Sequence, residues 1–341
     1  MTKSFSGIKQ IAQRAGVHAS TVSRVLNPQT RAMVSEAVAA RILEIAESLK
    51  YRRNPLAVGL KTLRSFTVGV IVPDLTNPVF PPIVRAVERT LGKEGYVTVL
   101  ADSDNRRDAE RAILDSLLAR RVDGLILATA WLQDEIVAEC QTQKIPFVLV
   151  NRTIRDESAP SVVTNDLNGI RLAVDHLLNL GHRKLAYVGG PLNTSTGNAR
   201  RDGFIAALKA YRLRVDERVM TDCPSFTVQA GLAGALRILN EKRGFTAIVA
   251  GNDMLALGCY DALAQSGLRC PGDISVTGYN DMPFSDRFNP PLTTVHIPHD
   301  EIGVQASLLL LRRMREPTAA VASFHLEPTL VVRGSTVRPT R

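Results

Sequence analysis

The spacing of apolar residues changes character once along this chain of 341 residues, near position 66. Before it, Ile8, Ile11, Ala12 and Ala15 recur at i, i+3, i+4 and i+7, the spacing of one buried helical face, and Gly16 ends the run. A second short helix is expected from about Ser20 to Leu26, with Val22, Val25 and Leu26 inward and Ala19, Ser20, Ser23, Arg24 and Asn27 on the outer side. So short a connection containing a glycine suits a helix-turn-helix. A third helix, about Ser35 to Leu49, would bury Val38, Ile42, Ile45 and Leu49. Beyond residue 66, short apolar runs alternate with stretches of helix length. Candidate strands are Phe66 to Val72, Val97 to Ala101, Gly124 to Ala128, Phe147 to Val150, Lys184 to Val188, Ala247 to Ala250 and Ile274 to Thr277. This alternation predicts an α/β body of open doubly wound sheets, with function at the loops beyond the strand carboxyl ends. The strands are too many for one ordinary sheet, so two similar subdomains with a cleft between them are expected.

Charge sharpens this division. Residues 1–64 carry 11 Lys and Arg against 3 Asp and Glu, about +8 of the chain's formal net charge of +9, so the body is close to neutral. A basic head on a neutral body implies that one end meets a polyanion, most plausibly nucleic acid. No apolar run is long enough to span a bilayer, and the start lacks the apolar core of a secretory signal, so a cytoplasmic location is expected. Four dispersed cysteines, Cys140, Cys223, Cys259 and Cys270, suit free buried thiols better than a disulfide framework or zinc site. Between head and body, Asn54-Pro55 could cap and start a short helix running through Gly59 and Leu60, although a glycine there lowers helix stability by about 1 kcal/mol. A plain basic linker is the alternative.

The string from Ile8 to Asn27, above all Ala15-Gly16-Val17 and Thr21-Val22-Ser23-Arg24-Val25-Leu26-Asn27, resembles the headpiece of the lactose repressor family of bacterial transcription regulators. The resemblance implies that the second helix enters the major groove of an operator. Ala19, Ser20 and Arg24 would then read base edges, with Arg24 suited to guanine O6 and N7 and Ala19 to an apolar contact such as a thymine methyl. Thr21, Ser23 and Asn27 would contact phosphate or position the helix. His18 stands where the family usually has Ser, which puts the helix cap in question. The resemblance also makes 54–65 a hinge helix, paired with that of a second subunit, whose Leu60 wedges into the minor groove. Pro55 and Gly59 depart from the family's usual residues there.

The body resembles the type I periplasmic binding protein fold of the same family, through Val72-Pro73-Asp74-Leu75-Thr76-Asn77-Pro78, Arg121-Val122-Asp123-Gly124, Leu180-Gly181-His182-Arg183, Gly251-Asn252-Asp253 and Pro290 to Val295. This implies two discontinuous lobes, with the chain crossing near Val163, Pro291 and Leu326. It divides the chain into a headpiece (1–53), hinge (54–65), effector-binding and dimerisation domain (66–334) and C-terminal tail (335–341). Positions matching the family's effector contacts are Val79, Phe80, Ala130, Asn151, Thr194, Thr196, Arg200, Phe226, Asn252 and Asn280; the alternative is that Arg200 pairs with a neighbouring carboxylate and the asparagines cap helices. Many relatives have Asp where this chain has Asn151 and Asn280. Losing two carboxylates while keeping Arg200 makes an acidic ligand, such as a sugar acid or aromatic acid, more tolerable; a neutral sugar also suits the amides.

No enzyme constellation emerges, and no cofactor is implied. Gly189-Gly190-Pro191 lacks the Gly-Lys-Ser/Thr of a phosphate-binding loop. His296 and His299 lack an obvious third metal ligand and read as ordinary loop histidines. The expected function is a homodimeric, ligand-controlled repressor that binds a pseudopalindromic operator. A solute-binding or sugar-processing protein of the same fold is the competing reading, and it has no use for a helix-turn-helix.

Overall fold

The computed structural model describes residues 7–27, 30–51, 64–241, 244–318 and 320–339, and divides into two units, 1–65 and 66–341. In the first, α1 (Ile8–Ala15), α2 (Ala19–Leu26) and α3 (Glu36–Ser48) surround Ile11, Val22, Val25 and Ile42, all fully buried. Gly16 closes α1 at φ +64°, a left-handed conformation that a residue with a Cβ adopts only at a cost. The buried stripe of α3 is Ala39, Ile42 and Ala46, with Val38, Ile45 and Leu49 half-buried beside it. The expected face was offset because small alanines weigh little in an apolar pattern.

The second unit holds two six-stranded sheets. The first has the order β11-β5-β4-β3-β1-β2, all parallel: β1 (Thr67–Val72), β2 (Val97–Asp102), β3 (Gly124–Leu127), β4 (Phe147–Val150), β5 (Ser161–Thr164) and β11 (Ser323–Leu326). The second has the order β12-β10-β9-β8-β6-β7: β6 (Leu185–Gly189), β7 (Met220–Asp222), β8 (Ala247–Ala250), β9 (Ser275–Asn280), β10 (Thr293–His296) and an antiparallel β12 (Thr329–Val331). The seven expected strands are present. The other five are short, and polar residues hide them: Thr293 and Thr294 are buried in β10 only because Thr336 and Asp253 bond their hydroxyls.

Helices α4 (Phe80–Lys93) and α11 (His299–Arg315) pack together in the first lobe, which also holds α5 (Arg107–Ala119) and α6 (Glu135–Thr142). The second lobe holds α7 (Asp166–Asn179) packed on α8 (Ser195–Ala210), and α9 (Val228–Asn240) on α10 (Asp253–Gln265). The chain changes lobe after Thr164, at Ile297-Pro298 and at Glu327-Pro328. The middle crossing comes later than Pro291 because β10 first completes its pairing with β9. Residues 335–339 pack on the second lobe: Ser335 is fully buried, its hydroxyl donating to Val276 O at 2.6 Å, and His182 bonds Val337 O at 2.9 Å. His296 and His299 are not loop residues; one ends β10, the other begins α11, and His296 Nδ1 lies 3.0 Å from Asp281 Oδ2.

Candidate functional site

On α2, Ser20 and Arg24 are exposed one helical turn apart, while Ala19, Thr21, Ser23 and Asn27 are half-buried around them. The helix is fastened at both ends. At its carboxyl end the Thr30 hydroxyl donates to Arg24 O and Arg31 Nε to Val25 O, each at 3.0 Å. At its start His18 supplies the cap that its replacement of Ser put in question: Nδ1 accepts the Ser20 N–H at 3.3 Å. An imidazole nitrogen does here what a hydroxyl would do. Leu60 and most of the hinge lie outside the described residues. Arg24→Ala is expected to weaken operator binding by about 1–3 kcal/mol and relax preference at one base per half-site. Quantitative mobility shifts over single-base operator variants check this; equal loss on every variant would make Arg24 a phosphate contact.

In the second unit, one cavity lies between the lobes at the carboxyl ends of their strands. Val79, Phe80 and Asn151 line it from the first lobe, and Thr196, Arg200, Phe226, Asn252 and Asn280 from the second. Eight of the ten expected positions therefore converge. The amides sit where strands end in unusual backbone, Asn151 at φ +63° and Asn280 at φ +111°. Phe226 fits because its neighbour is Gly190, where a Cβ would stand 2.1 Å from the ring. Asn252 caps α10, its Oδ1 accepting Leu255 N–H at 2.8 Å.

The other two positions do other work. Ala130 is 1% exposed within the apolar cluster of the first lobe and does not line this cavity. Thr194 caps α8, its hydroxyl accepting Gly197 N–H at 3.1 Å and donating to Pro191 O at 2.8 Å; it lines a neighbouring cavity instead.

Arg200 is only 2% exposed and already engaged. Its Nε bonds Asp166 Oδ1 at 3.0 Å, Nη1 donates to Gly251 O at 2.8 Å, and Cζ lies 3.8 Å above the Tyr279 ring. Burial opposes its charge, but Asp166 and the Tyr279 and Tyr187 rings leave the guanidinium more basic than usual. This corrects the charge reading from sequence: the cation assigned to grip a ligand is neutralised from behind by a carboxylate.

A second guanidinium, missed in the sequence, lines the same cavity. Arg152 is 5% exposed and its Nε has no hydrogen-bond partner. Burial pulls its pKa down to about 10, with the Glu110 carboxylate acting against that and Arg200 adding to it. Glu110 is itself buried beside Thr129, whose hydroxyl it accepts, and burial pushes its carboxyl up to about 7. Among the described residues no carboxylate lines this cavity, but Asp74 lines the adjoining one, which Arg152, Phe80 and Phe226 also border. The lobes also meet directly, Thr153 N–H donating to Ser195 Oγ and Leu132 N–H to Asn193 O, both at 2.9 Å.

Residues 7–54 match the family described as bacterial regulatory proteins, lacI family, and residues 65–325 match that of periplasmic binding proteins and the sugar binding domain of the LacI family. The ribose operon repressor of Escherichia coli strain K12 is 34% identical over 333 residues, 96% of this chain and 99% of the relative. The repressor PurR of Proteus mirabilis is 32% identical over 330 residues, 96% of both chains. The fold matches that of a lac repressor dimer bound to operator and the anti-inducer ONPF, with a TM-score of 0.86 at 29% identity over 97% of this chain and 99% of that one. It also matches a LacI family regulator from Enterococcus faecium with bound ribose, TM-score 0.70 at 33% identity over 80% and 100%. The chain belongs to the lacI family of bacterial regulatory proteins: it is a ligand-responsive, DNA-binding transcriptional repressor and not an enzyme.

Proposed function

We propose that the cavity between the lobes is the effector site and that its effector is a small hydroxylated metabolite bearing a carboxylate. One observation carries this reading: two guanidinium groups line the cavity, the one carboxylate lining the adjoining space is Asp74, and only Arg200 has a buried counter-ion in contact. An anion on Arg152 would satisfy a charged donor that burial otherwise leaves costly. Asn151, Asn252, Asn280 and Thr196 suit hydroxyls, and Phe80 and Phe226 supply apolar walls. Because contacts come from both lobes, the ligand has unequal affinity for different lobe arrangements, and that difference sets operator affinity.

The operator side follows the family. Ser20, Arg24 and Ala19 read bases; Thr21, Ser23 and Asn27 position α2. Residues 54–65 form a hinge in which Leu60 enters the minor groove, and a homodimer in the cytoplasm places two headpieces on successive half-sites. The domain divisions at 53, 65 and 334 are part of this reading.

The ribose bound to the Enterococcus faecium regulator favours a second reading, a neutral pentose. A thermal-shift screen of ribose and other aldoses against the corresponding sugar acids separates the two. A sugar acid is expected to stabilise the protein most; ribose stabilising it more would overturn the anionic reading. The carboxylate effector should also bind more weakly as pH rises. Glu110 is largely uncharged below about pH 7 and compensates Arg152 above it, so affinity is expected to fall several-fold between roughly pH 6 and pH 8. Asp253, buried behind Asn280, is also raised to about 7, so Glu110→Gln is the deciding variant: calorimetry across that range should show a flatter profile than wild type.

A further inference from the structure

At the tip of α2, His18 Nδ1 lies 2.8 Å from Ser20 Oγ as well as accepting the Ser20 N–H. A nitrogen that accepts a backbone N–H carries no proton, so the imidazole hydrogen is on Nε2. The 2.8 Å contact is then the Ser20 O–H donating to Nδ1, whose single lone pair it shares with the longer N–H contact in a three-centre bond. A serine hydroxyl has one hydrogen. With that hydrogen turned back onto the cap, Ser20 presents only lone pairs outward.

We propose that His18 is a specificity-positioning residue: by taking the Ser20 hydrogen it makes Ser20 an obligate acceptor, so that the residue selects a base offering a donor in the major groove. Cytosine offers N4–H and adenine N6–H there, whereas guanine and thymine offer acceptors at the matching edge. An unconstrained serine, which donates or accepts by rotation, would accept any of the four. The selectivity thus belongs to the pair, although His18 itself contacts no base. This inference rests on the reading of Ser20 as a base-facing residue.

The test is selection of operator half-sites from a randomised pool by the full-length protein, in wild type and three variants, with melting curves to establish folding. Ser20→Ala identifies the position that Ser20 reads, as the one where preference changes. At that position wild type is expected to favour adenine or cytosine about tenfold. His18→Ala should cut this to about twofold while leaving preferences elsewhere intact, and His18→Asn, whose Oδ1 can only accept, should restore it. A merely structural cap would lower affinity equally for all sequences in His18→Ala, and that result overturns the proposal. Retained preference in His18→Ala overturns it as well. If Ser20→Ala alters no position, the base-facing reading of Ser20 has failed and the inference falls with it; a failure of His18 alone leaves that reading standing.

Discussion

Replacing Arg200 with alanine is expected to destabilise the protein by about 3–5 kcal/mol, rather than to abolish ligand binding alone. The guanidinium is buried against Asp166, which is only 7% exposed, and also holds Gly251 O and the Tyr279 ring. Removing it leaves the Asp166 carboxylate in a low-dielectric interior without its counter-ion, the Thr164 hydroxyl standing 3.3 Å away. Asp166 begins α7 immediately after the first crossing, so the loss falls where the lobes join. Urea denaturation should show a lower midpoint, and thermal melting a decrease of roughly 10 °C for a unit of this size. Unchanged stability would mean that the pair is dispensable and return Arg200 to the role of a ligand grip.

Arg152→Gln should behave in the opposite way. With Nε unbonded and no carboxylate bonded to it, the Arg152 guanidinium is poorly repaid for its desolvation and contributes little to the fold, so melting temperature should hold or rise. Affinity for the best carboxylate effector is expected to fall about a hundredfold, about 2.7 kcal/mol, since a charge-assisted contact is lost inside a confined site. Titration calorimetry and melting curves on the same preparations read both quantities. A stability loss equal to that of Arg200→Ala, with binding intact, would show that Arg152 is structural.

The contrast between these arginines shows which part of the site was legible in the sequence. The strand ends are legible in the apolar pattern, whereas Val79, Asn151 and Asn280 come from the family resemblance; the structure brings all three to one cavity. What Arg200 and Arg152 do is decided by a residue 34 positions before Arg200: Asp166 takes one guanidinium and leaves the other without a bonded counter-ion. No periodicity registers such a contact. Thr194 and Ala130 misled for a related reason, because a capping threonine and a core alanine look the same in sequence whether or not a cavity opens beside them. His18 erred in the other direction: a departure from a familiar residue suggested loss, yet its ring nitrogen lies where a capping oxygen would.

The three crossings between lobes also govern how the molecule can be made. Strand β5, complete at Thr164, pairs on one side with β4 and on the other with β11, whose residues are synthesised more than 150 positions later. Until then β5 is itself an edge strand of the first sheet, its amides and carbonyls on the β11 side unpaired, the kind of surface that recruits another chain. α11, which packs beside α4 on β3, β4 and β5, is nearly as late, so the part of the sheet it covers stays bare over most of the same interval. Neither lobe is a unit of vectorial folding. The nascent protein passes through a long stage in which much of the second lobe has been synthesised while the first still lacks α11 and its last strand, and release from this stage coincides with completion of nearly the whole polypeptide. A shortened product ending before residue 323 therefore retains the headpiece while carrying an unfinished body, a species with DNA-binding elements and an adhesive edge that quality control has reason to remove.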